Sequence, residues 1–267
     1  MKKGLNLLFL AVFLVSSLLF VGSVRDKRQG SSTYQEAVAI AVREEPVPRE
    51  TPPQETTPPA GKWVPETILK DPVMEDLAAI DLAALREINP DVVGWITIPE
   101  TQINYPLMQG EDNDFYLHYT WKGDKNSVGS IFLETLCSPD LMGDNTILYG
   151  HNMADGSMFN DLRNYAVEGF WQRSPFVYIV TDAGVYRYDI VSAYKADVNG
   201  LTYGVEFPTE ESKANFICFL CQESEFDTGI VPEAQDRILT LSTCYGTANE
   251  LRWVVQARLR MVQVPCD

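Results

Sequence analysis

Ile238-Leu239-Thr240-Leu241-Ser242-Thr243-Cys244 is a run of β-branched and leucine residues that ends in a cysteine, and Tyr245-Gly246 closes it with a turn. Residues of this kind bounded by a turn read as a strand. The thiol of Cys244 then stands at a strand end, held by a sheet and partly open to solvent, as a nucleophile requires. The same pattern also describes a buried structural cysteine, because free cysteine commonly packs in cores.

Seven more runs share this texture: Val92–Ile98, Ile103–Met108, Ser130–Phe132, Thr146–Tyr149, Phe176–Thr181, Tyr186–Tyr194 and Arg252–Val264. Gly, Asn, Asp and Pro punctuate them. Eight short strands at uneven spacing point to a mainly β barrel or sandwich and away from a βαβ fold. Leu77, Ile80, Ala84 and Ile88 fall at helical spacing, which predicts an amphipathic helix over 73–88, stopped by Asn89-Pro90. Residues 157–166 and 209–223 read as helices inserted between strands, the second starting at Pro208-Thr209. No internal repeat is visible.

Two other strand ends carry chemistry. Asn145-Thr146-Ile147-Leu148-Tyr149-Gly150-His151 brings one of only two histidines to the end of a strand. An imidazole there can move protons for a thiol, although a lone histidine is more often structural. The other histidine, His118, follows Phe115-Tyr116-Leu117 and is the weaker candidate. Arg252 opens the apolar run Trp253-Val254-Val255, eight residues past Cys244. A guanidinium can hold the oxygen that turns negative when a thiolate attacks a carbonyl. The plainer alternative for Arg252 is a surface ion pair with a carboxylate such as Glu250.

Length and charge bound the rest. The chain has 267 residues, 45% of them hydrophobic, enough for one core and at most two domains. Lys+Arg 21 against Asp+Glu 37 gives a net charge of -16, which argues against nucleic acid as a partner. Residues 5–24 carry no charge, and twenty residues of helix span ~30 Å, a bilayer core. Lys2 and Lys3 precede this run, and Arg25, Lys27 and Arg28 follow it. The length favours an uncleaved signal anchor, over residues 1–28, against a cleavable signal peptide ending near Val21-Gly22-Ser23. Residues 29–70 read as a linker, with seven prolines from Pro46 to Pro65 among Thr, Glu and Gln. Residues 71–267 are the expected globular body, outside the cell, acidic and repelled by anionic lipid.

Several stretches together resemble the sortases, membrane-anchored cysteine transpeptidases of Gram-positive bacteria. They are Thr240-Leu241-Ser242-Thr243-Cys244, Tyr149-Gly150-His151-Asn152-Met153 and the following Arg252. Ile88-Asn89-Pro90-Asp91-Val92-Val93-Gly94-Trp95-Ile96, Tyr105-Pro106-Leu107-Met108-Gln109-Gly110, Asp112-Asn113-Asp114-Phe115-Tyr116-Leu117 and Asp155-Gly156-Ser157-Met158-Phe159 are similar to class B members, as is the helix at 209–223. The resemblance runs from about Ile80 to Val262. It implies a closed eight-stranded barrel with N-terminal helices and a helix inserted between late strands. It also implies Cys244 as nucleophile, His151 as acid and base, and Arg252 as support for the oxyanion or substrate. Asn113, Leu117 and Ser242 match positions lining the groove for the sorting signal. Thr202 and Tyr203 match the loop that touches the peptide, and Tyr245 sits beside the nucleophile where members vary.

The implied reaction is cleavage of an LPxTG-like or NPxT-like C-terminal signal on a secreted protein after its threonine. The acyl group then passes to an amine of a peptidoglycan precursor, with no cofactor and no metal. The alternatives are a pilin-polymerising sortase whose acceptor is a lysine, a hydrolytic cysteine peptidase, and a tethered binding module in which Cys244 is structural. Cys218 and Cys221 form a C-x-x-C without further zinc ligands nearby; it reads as packing on a helix face, with a redox pair as the alternative. Cys137 and Cys266 have no motif around them.

Overall fold

The computed structural model describes residues 2–42, 71–244 and 250–263. Its strands are β1 (Val92–Thr97), β2 (Asn104–Met108), β3 (Ile131–Leu133), β4 (Asn145–Tyr149), β5 (Phe176–Thr181), β6 (Gly184–Asp197), β7 (Ile238–Cys244) and β8 (Leu251–Gln263). They close into a barrel in the order β1-β2-β3-β4-β7-β8-β6-β5, as the barrel reading expects. The pairs β2–β3 and β4–β7 are parallel and the others antiparallel.

Strand β7 explains why the run ending at Cys244 has so few polar breaks. Leu239 and Leu241 point into the barrel core with Val255 and Ala257, while Ile238 joins a second core with Tyr194, Phe216, Leu220 and Val254. A strand buried on both faces reads as near-continuous apolar and small residues. The cover on the outer face is the connection from β6 to β7, which holds a 3-10 turn (Leu201–Tyr203) and a longer helix.

The helices are α1 (Lys2–Ala41), α2 (Pro72–Leu77), α3 (Leu82–Arg86), α4 (Phe115–His118), α5 (Phe170–Arg173) and α6 (Glu210–Glu223), with a second 3-10 turn at Asn160–Ala166. The single helix expected over 73–88 is two. Asp71 caps α2 through Val73 N, and Asp81 caps α3 through Ala84 N, so an acid placed mid-pattern restarts the helix. Ile88, expected on its buried face, is exposed. The expected helix at 157–166 is the 3-10 turn, and that at 209–223 is α6, with Thr209 and Ser212 forming a reciprocal cap.

The first thirteen residues of the linker expected over 29–70 are helical. Residues 29–41 belong to α1, and Tyr34, Ala37 and Ala41 are buried against the barrel with Val38 beside them. These four sit at i, i+3, i+4 and i+7, the spacing of one helix face. The prolines that forbid such a face start only at Pro46. The docking is polar as well. Tyr34 donates to Gly129 O, Trp121 Nε1 donates to Thr33 O at 2.9 Å, and Ser127 Oγ donates to Asp26 Oδ2 at 2.5 Å. Residues 43–70 lie outside the described residues. Among the side chains described, no helix is long and apolar enough to cross a membrane, and many of those in the run 5–24 fall outside them.

A buried polar layer ties the outer face of the barrel to its cover. Thr240 Oγ1 donates to Asn145 Oδ1 (2.7 Å), and Asn145 Nδ2 donates to the carbonyls of Thr202 (3.0 Å) and Gly204 (2.8 Å). Gln256 Nε2 donates to Thr240 Oγ1 (2.9 Å), and the Tyr194 hydroxyl, itself beside Thr202 Oγ1, donates to Gln256 Oε1 (3.0 Å). Satisfied networks of this kind fix one geometry, because leaving any member unpaired is costly.

Lys213 of α6 is buried at the rim of this layer, donating to Asp144 O at 2.5 Å, with its ammonium over the rings of Phe207 and Phe216. Burial pushes its ammonium down to about 8, against the pull of Asp144. Between about pH 8 and the unfolded value near 10.4, the unfolded chain holds more protons than the folded one, so stability rises with pH there. Below about 8 both states are protonated and the cost of burying the charge is constant. Lys213→Met is expected to stabilise the protein at pH 7 by on the order of 1–3 kcal/mol and to abolish the rise from pH 7.5 to 9.5. Thermal unfolding at both pH values checks it, and equal slopes for the two proteins would refute it.

Candidate active site

The site is built by register. Cys244, the last residue of β7, pairs directly with Arg252 near the start of β8. Cα partners in a sheet share a face, so both side chains lie on the outer face with Ser242 and Val254, under the β6–β7 connection. On the other side of β7, parallel β4 pairs Tyr149 with Ser242, and Gly150 N still donates to Ser242 O at 3.2 Å. Carried two residues further, the same register sets His151 alongside Cys244. Asn152 Nδ2 closes the junction by donating to Cys244 O at 2.9 Å. His151, Cys244 and Arg252 therefore leave three neighbouring strand ends, in the order β4, β7, β8.

Each side chain has its own support. His151 is half-buried, and its Nε2 donates to Leu117 O at 2.7 Å. Its ring rests against Gly129, whose φ is +61° and where an added Cβ would meet His151 Cδ2 at 3.0 Å and Leu117 O at 2.7 Å. Gly129→Ala is expected to cost at least ~1–2 kcal/mol from the left-handed backbone alone and to lower turnover by shifting the ring. Unfolding and rate measurements check it, and wild-type values in both would refute it. Cys244 is exposed and free. Arg252 donates from Nη1 to Leu251 O at 3.1 Å.

Tyr203 roofs this arrangement. Its hydroxyl lies 2.9 Å from Ser242 Oγ, and its ring stacks over Tyr149 with centroids 6.4 Å apart. Burial pushes its hydroxyl up, while the Ser242 hydrogen bond and the nearby Arg252 cation pull it down and Cys244 raises it. Tyr203 thus stands within electrostatic reach of both Cys244 and Arg252.

The other expected groove residues divide. Leu117 is half-buried and gives its carbonyl to His151. Asn113 is tied to the end of β3, with Nδ2 donating to Glu134 Oε1 at 2.6 Å and Oδ1 accepting from Thr135 N at 3.0 Å. Thr202 and Ser242 are buried, Thr202 against Tyr194 and Ser242 against Tyr203, so both side chains hold neighbours instead of facing open space. Tyr245 lies outside the described residues. Among the described residues, no group of three or more His, Cys, Asp or Glu could hold a metal ion.

Glu134 is absent from the sequence expectations, and Tyr149 enters them only as part of the motif around His151. Glu134 is buried and accepts from Asn113, Thr135 Oγ1, Leu136 N and, at 2.9 Å, the Tyr149 hydroxyl. Burial works to raise its carboxyl, but these donors hold it below the usual carboxylate range. The signals were there: Glu134 is the acid that ends the apolar run Ile131–Leu133, and Tyr149 precedes His151 by two, on the same strand face.

Comparison with known proteins agrees with this barrel. The model of the sortase domain matches residues 96–260. The chain is 37% identical over 182 residues to sortase B of Listeria monocytogenes, covering 67% of this chain and 74% of that one. It is 32% identical over 178 residues to sortase B of Staphylococcus aureus, covering 66% and 73%. Among solved structures, the Staphylococcus aureus sortase B–substrate complex matches with a TM-score of 0.64 at 30% identity, over 67% of this chain and 83% of that one. Bacillus anthracis sortase B in complex with AAEK1 matches with a TM-score of 0.71 at 29% identity, over 89% and 99%. With its eight-stranded barrel and a cysteine, a histidine and an arginine at three adjoining strand ends, the chain belongs to the sortase family, in class B.

Proposed function

We propose that Cys244 is the nucleophile of this transpeptidase, His151 its acid and base, and Arg252 the cation that meets the oxyanion. The reaction is cleavage of an LPxTG-like or NPxT-like sorting signal after its threonine, with transfer to an amine of a peptidoglycan precursor. The observation that carries the reading is the Cys244–Arg252 pair, with the Cys244 carbonyl bonded to the neighbour of His151. The thiolate of Cys244 attacks the threonine carbonyl, and the oxyanion forms on the face that Arg252 shares. Protonated His151 gives its proton to the departing amine, leaving a thioacyl enzyme. The incoming amine then loses a proton to neutral His151 and attacks the thioester, which expels the Cys244 thiolate and forms a new amide, restoring the starting pair. A carbonyl only accepts, so Nε2 of His151 carries the proton shared with Leu117 and Nδ1 is the nitrogen that exchanges protons.

The peptide is expected to run past Leu117, Asn113 and Tyr203, with Thr202 and Ser242 holding that surface from behind and Tyr245 flanking the nucleophile. The substrate complex known for the similar Staphylococcus aureus enzyme supports a groove of this kind. The test incubates the detergent-solubilised full chain with LPxTG-like and NPxT-like peptides and candidate amines, read by mass spectrometry. A new amide with a peptidoglycan-type amine supports the proposal. Product only with a pilin-type lysine, or only a free threonine carboxylate, overturns the acceptor. Arg252→Lys is expected to lower kcat/KM by about 10–100-fold, because an ammonium lacks the planar fork. A wild-type rate would remove Arg252 from the chemistry.

Sortases are cell-surface enzymes. For this chain the uncharged run 5–24 supports a single-pass anchor with the catalytic body outside, the order along the chain being anchor, docked end of α1, proline-rich segment and barrel. Because α1 continues from that run to Ala41 and docks through Asp26 and Tyr34, the anchor would hold the barrel close to the membrane surface.

A further inference from the structure

Of the C-x-x-C of α6, read as packing on a helix face, Cys221 is half-buried against the second core while Cys218 is exposed, and both are free thiols. Both line a shallow groove of about 390 Å³ with Ala214, Ile217, Val231 and Pro232. We propose that Cys218 and Cys221 form a dithiol site, separate from the transpeptidation centre, that closes to a disulfide by exchange with small neutral or cationic disulfides.

Helix geometry sets the reach. Residues at i and i+3 have Cα atoms about 5 Å apart, inside the ~4.4–6.8 Å range of disulfides. Their Cβ atoms stand about 5–6 Å apart, more than the ~3.5–4.5 Å a disulfide needs, so closure must tighten the turn. Cys221 lies in the last turn of α6, which ends at Glu223, where a helix yields most easily. The product is of the strained, readily reduced kind, suited to reversible exchange. Among the described residues the pair belongs to no group of three or more ligating side chains that could hold a metal ion.

The order of events follows from exposure. Cys218 is the sulfur an outside reagent can reach, and Gln222 Nε2 donates to it at 3.2 Å. Its thiolate attacks one sulfur of the reagent, forming a mixed disulfide and releasing one thiolate. Burial, Cys218 and Asp227 push the Cys221 thiol up, so it reacts poorly with free reagent. Once the mixed disulfide stands one turn away, the attack of Cys221 is intramolecular, and it expels the second thiolate. Two protein thiols are oxidised and one external disulfide is reduced to two thiols. The charge preference comes from the surroundings. Glu223, Glu225 and Asp227 lie just beyond the pair, Lys195 is held by Glu225, and Lys213 and Arg237 are held by Asp144. An anionic reagent is repelled there and a cationic one attracted.

Trypsin cuts after Lys213 and Arg237, so residues 214–237 emerge as one peptide holding both cysteines and no other. The full-length chain carrying Cys244→Ala is treated with cystamine, 2-hydroxyethyl disulfide or oxidised glutathione, then alkylated and analysed by mass spectrometry. The expected peptide is lighter by about two hydrogens and takes no alkyl group, with cystamine at least ~10-fold faster than oxidised glutathione at low salt. In Cys221→Ala, the mixed disulfide should accumulate on Cys218. Two mixed disulfides without closure, unreacted thiols in native protein, or oxidised glutathione matching cystamine would each overturn the proposal.

Discussion

Replacing Cys244 with alanine is expected to lower transpeptidation by at least ~10^4-fold, to the background of the uncatalysed reaction, because no other group can form the thioacyl bond. The fold should not respond. Cys244 is exposed, and its structural contribution is through its backbone, which pairs with Arg252 and accepts from Asn152. Alanine keeps both, so the stability change should stay within about 0.5 kcal/mol. The two readouts separate the competing roles of a strand-end cysteine. A core cysteine would cost stability on truncation and leave chemistry alone; a nucleophile does the reverse. Product formation by mass spectrometry and thermal unfolding decide between them, and residual turnover in well-purified protein would end the assignment. Cys137 serves as the internal contrast: it is buried, its sulfur donates to Asn145 O, and burial pushes its thiol up to about 11.

What the sequence displayed and what it hid follow one physical division. The strands were legible because each is a short run of residues that fit a pleated, buried surface, and Cys244, His151 and Arg252 were legible because each ends or begins such a run. Which strand ends meet was not legible from periodicity. The β4–β7 pair is parallel and joined across a long connection, so nothing local to Tyr149 or Ser242 announces that they are neighbours. Only the family resemblance supplied that. The buried position of Thr202 and Ser242 was hidden for a different reason. Thr202 and Ser242 are small polar residues, which bind a peptide or satisfy a buried network equally well. The deciding facts, the hydroxyls of Tyr194 and Tyr203, come from distant parts of the chain. The docked end of α1 was hidden by averaging, because the prolines after residue 45 dominate the composition of 29–70 while its first thirteen residues carry a helix face.

That long connection also gives the site its rigidity. The backbone of the Leu201–Tyr203 turn is held by Asn145, whose own oxygen is held by Thr240 on β7. Tyr203 therefore roofs the site from a turn anchored to the two strands that deliver His151 and Cys244. A preorganised site needs this kind of support, since a positioning error of about 1 Å costs rates heavily.

His151→Ala is the second large effect, an expected fall in kcat/KM of about 10^2–10^4-fold, the range for loss of a general acid and base. It should be smaller than the loss at Cys244, because the nucleophile remains. His118 provides the control: it is exposed and lies 3.8 Å from Asp114 on its own helical turn, so His118→Ala should change the rate less than about twofold. A structural role for His151 must also be separated from a chemical one, since its ring packs on Gly129 and holds Leu117 O. Added imidazole discriminates. The truncation removes the ring from beside Leu117 and Gly129, and a free imidazole bound in its place can carry the proton although it cannot restore the covalent support. Concentration-dependent recovery of turnover, with the pH profile following the added base, is the expected result. Most of the wild-type activity in His151→Ala, or a loss that imidazole leaves untouched while stability falls in parallel, would remove the histidine from the proton path.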